Sequence, residues 1–370
     1  VAVVFVNLLQ YTGKKGGMET YIRELYREFG TMPTGHEFIG FASRELLDLD
    51  HSWFPGEIVP SRISGENRVS WALGELFAVG RAAKRRGADL IHGPSMFGPL
   101  RSAAPVVISV HDLLYFSHPE YMSTPLYTEP VKWMERRAAA NASRLITISS
   151  VSASAIERYL HFPADRVDLI PLAATPPRTI STVPRHDAMF LAVGQRRPHK
   201  NFETLLRGLA TLEPSTRPRL VITGSYDEDP LQPLVTELGL DDSVDLRRWI
   251  DRDELETLMA TTTALIDASL MTGFSLPTLE AMVQGTPVLL ADTDIFREVG
   301  GDAAGYFDPR DPAAIGQAMA ALAADPARRE RMSAAGRARA AGFTWRGVAE
   351  RTLESLAAAL RDPRRGPVSR

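Results

Sequence analysis

The residues with the most chemical potential lie at 271–287, Met-Thr-Gly-Phe-Ser-Leu-Pro-Thr-Leu-Glu-Ala-Met-Val-Gln-Gly-Thr-Pro. An apolar run, Ala264 to Ala268, leads into a turn at Gly273. Pro277 stands where a helix can begin, and Glu280 is expected in its first turn. Such a strand–turn–helix unit aims backbone N–H groups, here those around Gly273, Phe274, Ser275 and Leu276, outward at the C-terminal edge of a parallel sheet. That arrangement binds phosphate. Glu280, an acceptor-only carboxylate beside it, suits a diol such as a ribose.

Three further groups could share that chemistry. In Leu191-Ala-Val-Gly-Gln-Arg-Arg-Pro-His-Lys-Asn, the cations Arg196, Arg197 and Lys200 gather where a diphosphate would lie, unless they form a solvated basic turn. A departing diphosphate gains charge, and a well-placed donor there is worth roughly 3–4 kcal/mol. After the first apolar run come Gly13, Gly16 and Gly17. They would let backbone approach a ligand, or they form an ordinary loop with Glu19 or Thr20 near a helix start. Val106-Val-Ile-Ser-Val-His-Asp-Leu ends a buried strand on His111 and Asp112. Polar residues there face the ligand edge; a capping Asp and a core-edge His are the simpler reading. No Gly-x-Ser-x-Gly elbow supports a hydrolase triad, and neither a dinucleotide fingerprint nor a Walker pattern is present. Trp249 and Ile250 close another strand, where Trp could stack on a base or fill a core. The acidic strings at Asp227–Asp229 and Asp292–Asp294 fall in turns and are poor metal sites, so no metal is expected.

The elements that must position these groups alternate along the chain. Strands are expected at Val1–Leu9, Glu37–Ala42, Leu90–His92, Val106–His111, Leu145–Ile148 and Asp168–Leu172. Helical patterns fall between them at Met18–Phe29, Trp71–Arg86, Pro130–Asn141 and Ser150–Leu160. A Pro-rich stretch, Ala173–Asp187, reads as a linker. A second alternation follows, with strands at Met189–Val193, Arg219–Thr223, Val244–Leu246, Ala264–Asp267, Pro287–Ala291 and Gly305–Asp308. Near-continuous apolar strands between helices imply parallel α/β sheets covered on both faces. The expected domains are 1–175 and 186–344, with a last helix at 345–361 returning to the first domain and a disordered tail at 361–370.

Composition removes other classes. A formal net charge of −3 gives no drive toward nucleic acid. With no cysteine there are no disulfides, thiolate metal sites or cysteine nucleophiles, which fits a reducing cytoplasm. No apolar run reaches the roughly 18 residues of a membrane span, and the apolar start Val1–Val6 reads as a strand rather than a signal peptide.

The stretch at 271–287 resembles the nucleotide-sugar loop of glycosyltransferase family 4, where a Glu, Gly-Phe-Gly-Leu-Pro, two residues and a second Glu are usual. Glu280 matches the second Glu; Thr272 replaces the first and Ser275 the second Gly. Gly-Gly-x-Glu at Gly16–Glu19 is similar to the family's loop that meets the donor diphosphate and borders the acceptor. Lys200 matches a Pro-Arg-Lys-Asn string in which His199 takes the Arg position. His-Asp-Leu-Leu-Tyr-Phe-Ser-His-Pro-Glu from His111 resembles the mannosyl- and rhamnosyl-transferase branch. Glu298 is similar to a Glu that shapes the same wall.

The resemblance implies a GT-B fold, two Rossmann-like parallel-sheet domains facing each other across a cleft. It implies a retaining transfer of a hexosyl unit from a nucleoside diphosphate sugar to a hydroxyl on an oligosaccharide, lipid carrier or secondary metabolite, without a cofactor. His111, Asp112, Lys200 and Thr272 become the catalytic candidates. Gly16, Gly17, Arg196, Lys200, Trp249, Ile250 and the loop Gly273–Leu276 with Glu280 become the donor site. A neutral Thr272 removes a charge near the transferred sugar, which points to an atypical donor or to a binding protein without turnover; a GT-B phosphorylase is the other enzymatic alternative.

Overall fold

The computed structural model describes residues 1–14, 16–121, 124–177, 185–186, 188–225 and 227–362. Most of the expected linker and nearly all of the expected tail lie outside the described residues. The chain divides into two compact units, one of Val1–Leu172 with the segment from Thr344 onward, the other of Ala173–Phe343.

The first unit holds a seven-stranded sheet. Its strands are β1 (Ala2–Leu8), β2 (His36–Ala42), β3 (Glu57–Pro60), β4 (Leu90–Gly93), β5 (Val106–Val110), β6 (Arg144–Thr147) and β7 (Val167–Leu169). They lie in the order β3-β2-β1-β4-β5-β6-β7, and every pairing is parallel. The second unit holds β8 (Met189–Val193), β9 (Arg219–Ser225), β10 (Val244–Arg248), β11 (Ala264–Asp267), β12 (Val288–Ala291) and β13 (Gly305–Phe307), in the order β10-β9-β8-β11-β12-β13, again all parallel. Both orders reverse direction once, between β1 and β4 and between β8 and β11. In open α/β sheets that reversal opens a crevice for ligands at the C-terminal strand ends.

The helices cover these sheets through apolar stripes. In Phe202–Ala210, the residues Phe202, Leu205, Leu206 and Leu209 are buried, the spacing of one helix face. Helix Trp345–Arg361 buries Trp345, Val348, Ala349, Thr352 and Leu356, and packs on helix Gly17–Phe29 and on β4, β5 and β6. Arg346 adds an ion pair to Glu28 at 3.3 Å.

Several boundaries differ from the sequence expectation. Strand β3 was not anticipated; it is a short, partly exposed edge strand, Glu-Ile-Val-Pro, without a clear apolar signal. The expected helix Trp71–Arg86 begins at Arg68 and carries a π-turn at Gly74–Ala78. The π-turn holds Glu75, fully buried, with its carboxylate accepting from Asn7 Nδ2 at 2.6 Å and Trp71 Nε1 at 3.0 Å. The helix expected from Pro130 starts at Pro125 and keeps Pro130 inside it. Proline there leaves the Leu126 carbonyl without its helical donor; Leu126 is 88% exposed, so water can serve that oxygen. Helices Gln232–Glu237 and Asp294–Gly300 were missed because six or seven residues are too few to show a period.

Candidate functional site

The loop after β11 is built around a carboxylate that sequence reasoning passed over. Asp267, the last residue of β11, is 9% exposed. Its Oδ1 accepts the Ser269 N–H at 3.1 Å and the Ser269 hydroxyl; its Oδ2 accepts the Ser275 hydroxyl at 3.1 Å. Ser275 is the N-cap of helix Leu276–Val283 and adopts a left-handed conformation, φ 68° and ψ 72°. That backbone costs an ordinary residue about 1–2 kcal/mol, which explains why a glycine is usual at this place. Pro277 sits in the first turn, as the sequence indicated. One assignment needs correction. Because the helix already begins at Leu276, Glu280 falls in its second turn rather than its first. Phe274 is 3% exposed and packs edge-on against Phe343, ring centres 6.1 Å apart, so only its backbone can face a ligand.

The loop after β8 meets this one at the strand-order reversal. The Leu270 N–H donates to the His199 carbonyl at 2.8 Å. Asn201 Nδ2 donates to the Ala268 carbonyl at 3.1 Å and to the Pro309 carbonyl at 2.8 Å. Asn201 has φ 57°, which its short polar side chain tolerates. Lys200 is therefore held between two residues stitched to the β11 loop. Its stem lies against Gly194, where a Cβ would come within 3.1 Å of the Lys200 Cε, so a side chain at 194 would displace the lysine.

Arg196 is not a free phosphate arm, which corrects its place in the donor set. Its Nε and one terminal nitrogen grip Asp229 at 2.8–3.1 Å. The remaining N–H groups reach the carbonyls of Gly194, Thr223 and Ile222 at 2.9–3.1 Å. With its side chain 6% exposed and all its donors engaged, Arg196 braces the β8–β9 loops. Arg197, by contrast, is exposed. Asp229 is spent on Arg196, and Asp292 pairs with Arg297 at 2.7 Å. Among the described residues, no group of three or more His, Asp or Glu is placed to hold a metal ion.

Beyond β10, Trp249 is 52% exposed, so it is a surface ring and not a core tryptophan. The Trp249 backbone N–H donates to the Ser225 carbonyl at 2.6 Å, which ties this corner to β9. Ile250 follows, partly exposed, before helix Arg252–Thr261. Arg252 approaches Glu280 at 3.7 Å, an ion pair linking the Trp249 corner to the helix after the β11 loop.

In the first unit, Gly16 is the N-cap of helix Gly17–Phe29, at φ 57° and ψ −124°, a backbone only glycine adopts without strain. Buried Glu19 accepts the N–H groups of Thr12 at 2.6 Å and Gly13 at 2.9 Å and so folds the loop back on the helix. At the end of β5, His111 is partly exposed and meets Tyr21 edge-on at 4.8 Å. Its Nε2 lies 3.1 Å from the Pro94 carbonyl. A carbonyl only accepts, so Nε2 carries the proton and Nδ1 keeps a lone pair. Burial holds the imidazole below its ordinary value of 6.5, which makes it neutral at pH 7. Asp112 Oδ1 accepts the Leu114 N–H at 3.0 Å. That bond lies at the start of helix Leu114–Ser117 and leaves the other Asp112 oxygen outside it.

Two family models match successive parts of the chain: Glycosyltransferase Family 4 over residues 15–174 and glycosyl transferases group 1 over residues 178–339. The chain belongs to glycosyltransferase family 4. This transferase has the GT-B fold and moves a sugar from a nucleotide-sugar donor with retention of configuration. It is 28% identical over 313 residues to the O-antigen chain mannosyltransferase B of Escherichia coli, covering 80% of this chain and 78% of that one. It is 26% identical to the MMP alpha-(1->4)-mannosyltransferase of Mycolicibacterium hassiacum, covering 94% and 96%. Among solved structures, sucrose-phosphate synthase from Thermosynechococcus elongatus superposes with a TM-score of 0.76 at 19% identity, covering 97% and 98% of the two chains. Anabaena HepE in complex with UDP gives 0.73 at 18%, covering 97% and 100%. Those two establish the shared fold. Among the described residues, no helix of the transferase is long and apolar enough to cross a membrane.

Three residues that build the loops had only faint sequence signals. Asp267 ends an apolar strand, Asn201 follows a lysine, and Glu19 sits in the Gly-Gly-x-Glu string. Each is a polar side chain at a strand end or helix start, and Asp267 and Asn201 are the short kind that makes backbone-holding bonds.

Proposed function

We propose that the chain transfers a mannosyl unit from a nucleoside diphosphate mannose to an acceptor hydroxyl, with the donor held on the second unit. The observation that carries this reading is the stitching of the β8 and β11 loops at the strand-order reversal. It holds the Lys200 backbone beside the turn that opens helix Leu276–Val283. A cation and the free N–H groups of a helix start are the two devices that hold a diphosphate. Mannose is favoured because two relatives matched over most of their length are mannosyltransferases; D-inositol 3-phosphate glycosyltransferases match over a similar length and share the nucleotide-sugar chemistry. Trp249 would stack on the base, and Glu280 would accept from the ribose diol. His111 Nδ1 would accept from a hydroxyl of the transferred sugar. Gly16 and Gly17 would let backbone approach the diphosphate and the acceptor.

In the transfer, the anomeric carbon–oxygen bond to the diphosphate breaks, and the acceptor oxygen bonds to the anomeric carbon on the same face. The acceptor's proton passes to the departing diphosphate oxygen, so the products are a glycoside and a nucleoside diphosphate. Lys200 and the helix-start N–H groups would stabilise the charge that grows on the leaving group. No protein nucleophile is assigned.

Calorimetric titration with GDP-mannose, UDP-glucose and dTDP-rhamnose tests the reading. GDP-mannose or another mannose nucleotide should bind, and Lys200→Ala should weaken that binding about ten- to hundredfold, the worth of a charge-assisted hydrogen bond. A folded chain that binds none of the three, or a Lys200→Ala variant that binds as the native chain does, would sink it.

A further inference from the structure

Ser275 is one of three non-glycine residues with positive φ among those described, with His161 and Asn201. In the left-handed region an L side chain crowds the next carbonyl, so something must hold serine there. Its hydroxyl donates to Asp267 Oδ2 at 3.1 Å and accepts from Thr278 Oγ1 at 2.9 Å. The other Asp267 oxygen takes the Ser269 N–H and hydroxyl. One buried carboxylate thus grips both ends of the loop that contains Thr272 and Gly273. The Ser275 and Leu276 N–H groups emerge from the end that Asp267 holds, since Thr278 N–H folds back on the Ser275 carbonyl at 3.1 Å.

We propose that Asp267 is a positioning residue for the transfer: acting through the Ser275 hydroxyl, it fixes the left-handed turn that aims the Ser275 and Leu276 N–H groups at the donor diphosphate. The inference rests on the donor site proposed above. A glycine at 275 would take the same turn without an anchor. The Asp267–Ser275 pair therefore does by hydrogen bonding what a glycine does by conformational freedom, and either device should be sufficient alone.

The test is a rescue experiment. Donor dissociation constants for GDP-mannose and UDP-glucose are measured by calorimetry on the full chain, with thermal melting of each variant as the measure of stability. Asp267→Asn replaces one acceptor oxygen by a donor and should weaken binding about tenfold. Ser275→Ala leaves Asp267 intact but loses the anchor, and should weaken binding to the same degree. Ser275→Gly should bind within threefold of the native chain. The double variant Asp267→Asn with Ser275→Gly should also return to within threefold, even though its melting temperature stays low because Ser269 remains unanchored. A merely structural aspartate would not regain donor affinity when residue 275 changes.

The inference is overturned if Asp267→Asn binds as the native chain does, if Ser275→Gly binds as weakly as Ser275→Ala, or if the double variant stays as weak as Asp267→Asn. In each case native binding stands, so the donor-site reading survives. A native chain that binds neither sugar nucleotide overturns both together.

Discussion

Glu135 should destabilise the first unit, and removing its carboxyl should show how much. It projects from helix Pro125–Asn141, is 2% exposed, and neither of its oxygens has a hydrogen-bond partner. Its surroundings are Met96, Ile108, Val110, Leu113, Ala139 and Leu145. Burial pushes its carboxyl well above the ordinary 4.5, the Asp112 charge adds to that, and Arg136 and Lys132 oppose it. The sign follows from proton counting. Between about 4.5 and the raised folded value, the folded chain binds a proton that the unfolded chain has lost. Stability is therefore full below 4.5 and falls as pH rises through the folded value. A stranded carboxyl costs roughly 1–3 kcal/mol in lost hydrogen bonds, and each unit of upward shift adds about 1.4 kcal/mol at high pH. Glu135→Met keeps the volume and removes the polar atoms. It should gain about 2 kcal/mol at pH 7, which in a unit of this size is a rise of roughly 4–8 °C in Tm. Glu135→Gln cannot ionise but still strands a polar group, so it should flatten the pH dependence without the full gain. Differential scanning calorimetry of the full chain at pH 5, 6, 7 and 8 reads all three. A Met variant that melts lower than the native chain at pH 7, with the pH dependence unchanged, would refute the reasoning.

Other expectations follow from the second unit. Arg196→Ala leaves Asp229 largely buried without its partner and should cost about 3–5 kcal/mol, read as a lower denaturant midpoint; a stable variant with weak donor binding would restore Arg196 to the phosphate site. Trp249→Ala should weaken nucleoside diphosphate binding about ten- to hundredfold, the worth of one stacked base, while Trp249→Phe keeps most of it; equal affinities for all three chains would place the base elsewhere. Thr272→Glu should shift the donor preference toward fully hydroxylated sugars in a competition assay between ordinary and deoxy donors. Unchanged preference would show that residue 272 does not face the sugar.

Much of the architecture was legible because it is periodic. Apolar runs such as Met189–Val193 and Ala264–Asp267 between helical patterns read as strands buried on both faces, and striped helices such as Gly17–Phe29 read as the cover of such strands. Elements without a period were invisible: edge strand β3 and the short helices Gln232–Glu237 and Asp294–Gly300. The loops divided in the same way. Gly16, Pro277 and Lys200 suggested a ligand edge by residue type alone, and the structure sets Gly16 and Pro277 at helix starts and Lys200 against Gly194. Arg196 announced the same thing and was misleading, because a guanidinium reads alike in sequence whether it meets phosphate or a buried aspartate 33 positions away.

The sequence by itself therefore determined the alternation of strand and helix, the two parallel sheets, and the family, since these depend on local pattern and short motifs. Only the tertiary structure decided which polar groups remain for a ligand. It spent Arg196 on Asp229 and buried the Phe274 ring against Phe343, and it gave Asp267 the turn at Ser275. The physical reason is that a buried donor or acceptor must find its partner wherever the fold brings one, at separations no local pattern records.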